Sequence, residues 1–434
     1  MRFQIRLPSL CLCASVVFSF CPLVASLTLA AEDWPGWRGP SRSGIAPDGQ
    51  APLHWTADAS TETGIAWKVA LPGSGSSQPI VWQDRIILTA AEGPQQSDLH
   101  ILCLAARSGE RLWDLRLWGT SPTLYHATKS SMATPTPITD GRHVYAFFGT
   151  GDVFCVDLSG KLLWQRSLAS EYGPFENRFA ASSSPLLFGD LLLLQCDHYG
   201  PSYLLALDKH SGANRWKVDR PEAWLSWSSP QLFGAPPQGK ENNAEPELVV
   251  CGSEKVEAFR PSNGEKLWSL GGMARECIPT PVLGGGLIYA VSGPRGTTLA
   301  IRPGGRGDVS RTHVAWTSTK GTPFVPSAIL VGDYYYLVDD HGIATCLEAK
   351  SGELKWRKRL GGNVTASPVA AGGRIYFITE SGETVVLEGG VPDYHELARN
   401  SLNQAVYASP AIAGGRLYVR TPSHLVCISG NVDQ

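Results

Sequence analysis

The sequence is poor in charge. Asp, Glu, Lys and Arg make up 18% of its 434 residues, against about 25% in an ordinary soluble domain. The formal net charge is -2, so the chain has no clustered basic face of the kind that nucleic-acid binders carry. Nor does it have the field to steer an acidic partner. Methionine is scarce, at 3 residues. Several chemical signatures are missing as well. There is no Cys-x-x-Cys, no Cys-x-x-Cys-His for a haem and no two-plus-two zinc spacing. There is no His-Glu-x-x-His pair and no Gly-x-Ser-x-Gly elbow. Gly284-Gly285-Gly286 and Gly304-Gly305 open no helix, so they read as turns rather than phosphate loops. Beyond residue 31 no apolar run approaches the ~18 residues of a membrane span.

What the chain does have is 46 Gly, 31 Pro and 14 Trp within a composition that is 43% hydrophobic. That is too apolar for disorder. Gly and Pro interrupt every long stretch, which disfavours a helical bundle and favours many short strands joined by turns. Arg2 and Arg6 precede an apolar run from Leu10 to about Leu29 that ends in Ala30-Ala31. This pattern predicts a secretory signal over residues 1–31, hence export to the periplasm or cell envelope. An uncleaved anchor is the alternative, because the run is nearly long enough to span. Cys11, Cys13 and Cys21 follow Leu10, Leu12 and Phe20 rather than a small residue, which argues against lipid attachment. Seven Cys remain after residue 31, an odd number that leaves at least one free thiol.

Internal repeats decide the architecture. A strand-entry proline recurs as Pro79, Pro135, Pro185, Pro230, Pro281, Pro326, Pro368 and Pro410, in all but Pro326 as part of a Ser/Thr-Pro or Ser-x-Pro step. Each is followed by three short strands, a Ser-Gly or Asn-Gly turn and a strand bearing Trp113, Trp164, Trp216, Trp268, Trp316 or Trp356. The seventh unit has Tyr394 in that stretch. A turn Gly supplies positive φ between third and fourth strands. A Trp provides a large apolar body to pack between sheets. One four-stranded blade cannot bury both faces, so blades must stack and close into a ring. The eighth unit ends without its Trp strand, while an orphan one, Ile65-Ala66-Trp67-Lys68-Val69, stands near the start. The expectation is an all-β, eight-bladed β-propeller over residues 65–434, its last blade closed by the N-terminal strand. Residues 32–64 form an extension docking on the propeller, with Trp34 and Trp37 on its rim. Cys103, Cys155, Cys346 and Cys427 occupy one repeat position that Ala206 and Ala258 also fill, so they read as small buried fillers.

Units such as Leu204-Leu205-Ala206-Leu207-Asp208-Lys209-His210-Ser211-Gly212 through Trp216, and Cys346 through Trp356, resemble the pyrroloquinoline-quinone (PQQ) enzyme repeat. Trp34-Pro35-Gly36-Trp37-Arg38-Gly39-Pro40 is similar to the opening of exported bacterial PQQ-repeat proteins. The resemblance implies the eight-bladed quinoprotein alcohol dehydrogenase-like fold. It embraces quinoprotein dehydrogenases and non-catalytic scaffolds such as the outer-membrane assembly factor BamB. The dehydrogenases hold PQQ in the central funnel beside calcium, with an aspartate base, a Glu and an Asn on the metal, a Trp floor and often a disulfide between adjacent Cys. Here no two mature Cys are adjacent, Cys251 and Cys277 being the closest pair in sequence, and no long inter-blade inserts exist.

In a propeller the residues leading into each innermost strand line one mouth of the channel. Here they include Ser74, Lys129, Arg178, Trp224, Arg275, Glu276, Asn363 and Gln404. Glu276 and Asn363 are the candidate calcium pair. The excess of cations suits an anionic group better, because Arg binds carboxylates bidentately. A solvated mouth whose charges pair among themselves is the alternative. His126 and His198 fall in loops and read as ordinary hydrogen-bonded residues. No catalytic residue is assigned. The functional expectation is a monomeric, exported, non-catalytic propeller that binds a protein or cell-envelope ligand on its rim or funnel, like BamB, without nucleic acid or a resident cofactor. A PQQ-dependent oxidoreductase and a carbohydrate- or small-anion-binding propeller are the alternatives.

Overall fold

The computed structural model describes Met1 and residues 33–430, without 47–48, 58–62, 235–244, 253 and 294–295. The predicted secretory segment therefore lies outside the described residues. Contacts divide the chain at Ala30/Ala31, and everything below concerns the unit from Ala31 onward. Among the described residues no helix is long and apolar enough to cross a membrane.

Eight blades are present, each a four-stranded antiparallel meander with consecutive strands paired. Blade 1 is built of Ile80–Trp82, Arg85–Glu92, Asp98–Ala105 and Arg111–Trp118. The next six begin at Ile138, Leu186, Gln231, Val282, Ile329 and Val369. Blade 8 takes Ala411–Ala413, Arg416–Arg420 and His424–Ser429 from the C-terminal end, and its outer strand is Ile65–Ala70, with Trp67 opposite Cys427. This is the predicted closure. Middle strands such as Tyr203–Asp208 are buried on both faces, whereas outer strands such as Leu162–Ser167 alternate. The core therefore lies between neighbouring sheets.

The Trp-Gly pattern has a direct structural cause. The indole Nε1 of Trp113 donates to Leu158 O of the following blade (3.0 Å), Trp164 to Lys209 O (3.0 Å) and Trp216 to Pro261 O (3.0 Å). Each ring lies on that blade's turn glycine. A Cβ on Gly160 (φ 87°) would sit 2.7 Å from the Trp113 ring, so this position needs Gly for space as well as for its backbone angle. Trp268 departs from the pattern and donates to Glu247 of its own blade (3.0 Å). Opposite the ring on the adjacent strand stands Cys103, Cys155 or Cys346, or Ala206 or Ala258, which explains their interchange. All seven Cys are free and buried, Cys251 and Cys277 included. Burial pushes their thiols upward, Cys251 to about 12.

Two details differ from the expected repeat. The residue entering the inner strand of blade 2 is Pro137, not Pro135, and in blade 6 it is Ala328, not Pro326. The periodic feature is the hydroxyl one position earlier. Backbone N–H groups of Gln78, Thr136, Ser184, Thr280, Ser327 and Ser367 donate to the hydroxyls of Thr136, Ser184, Ser229, Ser327, Ser367 and Ser409, at 2.9–3.0 Å. Between blades 4 and 5 the link is instead Ser228 Oγ to Pro279 O (3.0 Å), and between blades 8 and 1 it is Gln78 Nε2 to Pro410 O (2.5 Å). Successive blades are thus tied around the channel by a hoop of buried hydroxyls. The proline is only a convenient neighbour, because an innermost strand can do without that donor.

The second difference concerns residues 33–46. Trp34 and Trp37 do not dock on the rim. The segment climbs the inside of the channel along blades 1 and 2, where Trp34 pairs with Val81 (2.7 and 2.8 Å) and Pro35 O accepts from Thr139 N–H (2.9 Å). At the hoop, Arg38 N–H donates to Gln78 Oε1 (2.9 Å) and Trp37 Nε1 to Thr280 Oγ1 (2.9 Å). The chain turns there and descends along blade 7, where Ile45–Ala46 pair in parallel with Ala370–Ala371. Residues 51–57 then run between blades 7 and 8. Ala51 O accepts from Tyr376 Oη (3.1 Å), and Trp55 N–H donates to Asn400 Oδ1 (3.0 Å). A Trp-rich peptide gains more by burial in a ready-made apolar bore than on a solvated rim.

Candidate functional site

The innermost strands run away from the mouth that the candidate residues line, so the turn at Gly39–Gly44 forms the floor of that mouth. Its contacts reach every side of the ring. Arg38 Nη2 donates to Ala328 O of blade 6 and to Ser43 O (both 2.7 Å), and Gln231 of blade 4 approaches Arg42 O (3.5 Å). Arg38 is buried without a carboxylate partner among the described residues, and desolvation lowers its guanidinium to about 10.

The structure brings four of the eight predicted wall residues into a first cluster and sets Lys129 in a second. Arg178, leading into blade 3, forms an ion pair and hydrogen bond with Glu276, leading into blade 5. Arg275 lies 3.1 Å from the ring centroid of Trp224, and Tyr199 meets the same indole edge-on at 5.5 Å. These side chains are placed by a short parallel pair, Leu225–Ser226 beside Glu276–Cys277, that links the entries of blades 4 and 5. Lys129 stands elsewhere, 2.8 Å from Glu380 at the second hairpin of blade 7. Glu380 also accepts from Thr365 Oγ1 (2.6 Å). Asn363 is exposed and joins this group only through its carbonyl, which accepts from Glu380 N–H (2.7 Å). Ser74 is bound by Gln96 (2.9 Å). Gln404 stands against Gly382 of the same hairpin through its backbone.

Reading the sequence missed the two carboxylates that answer these cations. Glu380 and Asp340 sit at equivalent hairpin tips, Thr379-Glu380-Ser381-Gly382 and Asp339-Asp340-His341-Gly342, and that repeated acid-x-Gly tip was the available signal. Asp340 accepts from Phe324 N–H (2.7 Å) and Val325 N–H (3.2 Å), yet burial holds its carboxyl above the usual range.

Beside the first cluster lies a groove of about 620 Å³ between the loops of blades 1 to 3. Its lining includes Pro94, Leu124, Tyr125, Phe175, Arg178 and Tyr199. Leu124 is 72% exposed, and Trp118, at the end of blade 1's outer strand, 70%. Under the groove His198 stacks on Phe175 (4.8 Å between centroids) and is almost fully buried. Desolvation lowers its pKa to about 4, with Glu176 opposing the shift. The unfolded chain therefore takes up a proton near pH 6.5 that the folded chain refuses. The contribution is complete above pH 6.5 and is lost as pH falls towards 4, by about 3 kcal/mol over the full span. Urea unfolding of the His198→Asn variant at pH 7 and pH 5 should show a shallower decline than wild type. Parallel slopes would refute this.

The geometry defines a class before any comparison: an eight-bladed propeller closed by an N-terminal strand, with a charged mouth of paired cations and carboxylates floored by an internal peptide. A family profile described as outer membrane protein assembly factor BamB matches residues 56–222 and 252–432, and the chain belongs to that PQQ-repeat family. No curated protein sequence matches. Among solved structures the chain is similar to BamB from Moraxella catarrhalis, at 15% identity and a TM-score of 0.62, over 85% of this chain and 98% of that one. It is also similar to the quinohemoprotein alcohol dehydrogenase of Comamonas testosteroni, at 11% and 0.59, over 93% and 81%. The computationally designed Ika8 protein matches at 12% and 0.57, over 83% and 98%. One fold thus serves an assembly factor, a dehydrogenase and a designed chain, so function has to be argued from the site.

Proposed function

We propose that this protein is an exported, non-catalytic propeller that binds a protein or envelope ligand, similar in role to BamB. The observation that carries this reading is the occupied bore, since residues 33–46 fill the channel up to the hydroxyl hoop. The mouth charges support it. Glu276, one half of the candidate calcium pair, is engaged by the Arg178 guanidinium, and Lys129 is spent on Glu380. A calcium ion needs several convergent oxygens and is opposed by adjacent guanidinium groups. The residues present do not fit a calcium–quinone pair, and no redox step is derived. The rim groove with its exposed Leu124 is a surface open to a partner.

Two measurements test the reading. Titration of the protein with PQQ in calcium should give no saturable binding; stoichiometric binding abolished by Glu276→Ala would overturn the proposal. A photo-crosslinker at Leu124 should capture a discrete envelope component, while one at Glu110 on a blade 1 turn should not. Equal yields at both positions would remove the groove from the argument.

A small-anion reading keeps one specific observation. Arg275 is stacked on Trp224 and has no carboxylate within 4 Å among the described residues. A carboxylate ligand whose binding is lost in Arg275→Ala would favour it.

A further inference from the structure

At the loop end of the second hairpin of blade 1, Glu92 and Asp98 face each other across the strand pair, and His100 lies on the same sheet face one pleat further on. His100 Nε2 is 3.5 Å from Glu92 Oε2 and 3.9 Å from Asp98 Oδ1. The His100 side chain is only 4% exposed, and its Nε2 has no hydrogen-bond partner. Its Nδ1 lies 2.8 Å from Asp114 Oδ1. An ionised carboxylate only accepts, so Nδ1 carries the hydrogen and a neutral ring presents its lone pair at Nε2. That lone pair faces two carboxylates, so Nε2 meets only acceptors; the donor at the site, Arg116, is turned to Asp98, bonding Oδ1 through Nε (3.2 Å) and Oδ2 through Nη2.

We propose that Glu92, Asp98 and His100 form a binding site for a divalent transition-metal ion, zinc being the best match. Bonds of about 2.0–2.2 Å at tetrahedral angles place neighbouring ligand atoms about 3.4 Å apart, close to the 3.5 and 3.9 Å seen here, and the three ligand atoms lie within 4.8 Å of one another. The imidazole and the small number of oxygens select against calcium and magnesium, which want six or more oxygens. Asp114 supplies the carboxylate–histidine support that fixes the ring's tautomer and direction. Arg116 is the internal competitor. It is ion-paired to Asp98 and stands 4.0 Å from Glu92, so metal entry displaces its guanidinium into solvent. The site does not depend on the proposed scaffold function. It lies at the root of the hairpin whose Pro94 lines the rim groove, so a bound ion would brace that wall.

Calorimetric titration of the metal-stripped protein with ZnCl2 at pH 7.5 tests this, with Co2+ absorption as a second readout. One Zn2+ per chain is expected, with Ca2+ failing to compete, and Co2+ should give the intense visible bands of a four-coordinate site. Glu92→Gln, partly exposed and without a role in the core, should weaken Zn2+ at least tenfold. Asp114→Asn should weaken it about tenfold, and Arg116→Gln should tighten it. Absence of binding at 100-fold excess overturns the proposal. Binding that is indifferent to Glu92→Gln in a normally melting variant overturns it too.

Discussion

Replacing Trp34 with alanine is expected to destabilise the protein by about 3–5 kcal/mol, the range for deleting a large buried aromatic whose site cannot collapse. Trp34 is completely buried in a cluster that joins blades 1, 7 and 8 with the N-terminal segment. Its backbone makes both hydrogen bonds of a bridge to Val81, and its ring lies against Gly39. Removing the indole leaves a cavity walled by rigid strands and by a peptide pinned at Gln78, Thr280 and Ala370. The effect should also be directional. Loss of Trp34 loosens the floor of the mouth together with the seam between blades 7 and 8, so protease cleavage within residues 33–57 should precede global unfolding. Urea unfolding combined with timed proteolysis checks both. A loss below 1 kcal/mol would mean that the segment is a passive lodger in the bore.

Asp197→Ala should cost a comparable 3–5 kcal/mol, because it breaks a fully buried ion pair and leaves Arg220 with a single carboxylate that Lys266 also claims. Arg220 lies between blades 3 and 4, with its guanidinium bonded to Asp197 and, at 2.9 and 3.2 Å, to Glu257. Asp197 is fully buried and also receives Gln195 Nε2 (2.7 Å). Burial raises the Asp197 carboxyl and the adjacent guanidinium opposes that shift, whereas Glu257, reached by Lys266 as well, stays below its ordinary value. Taking the charge pair out together removes that guanidinium as well. The double variant Asp197→Leu, Arg220→Met leaves Glu257 with Lys266 and should lose clearly less than Asp197→Ala alone. If the double variant is the worse of the two, the network is net stabilising and the desolvation argument fails at this seam.

Much of the ring was legible along the chain. The Trp in seven of the eight outer strands, the Gly in the turn before it and the Cys or Ala opposite it are short-range relations. Each repeats because each blade meets its neighbour in the same way. The closing strand was legible for the same reason: one unit lacked a Trp strand and Ile65–Ala70 had no unit. Where the register slipped, at Pro135 and Pro326, a second proline or a missing one obscured the hydroxyl that actually recurs.

The candidate site was legible only as a list of residues. That Arg178 would be answered by Glu276, and Lys129 by Glu380, depends on how blades far apart in sequence face one another across a mouth. Glu92, Asp98 and His100 lie within nine positions, yet they read as an ordinary strand end until the pleat, the neighbouring Asp114 and the burial of Nε2 are known. Trp34 and Trp37 likewise carried an apolar demand without a direction.

The sequence by itself determined the blade, the number of blades and the closure, because a sparsely charged chain with regular Gly and Trp has one economical way to bury alternating strands. Only the tertiary structure decided what fills the bore, which charges at the mouth are already satisfied and where a buried imidazole nitrogen is left facing carboxylates. Those outcomes are set by contacts between blades, whose partners no local pattern of residues names.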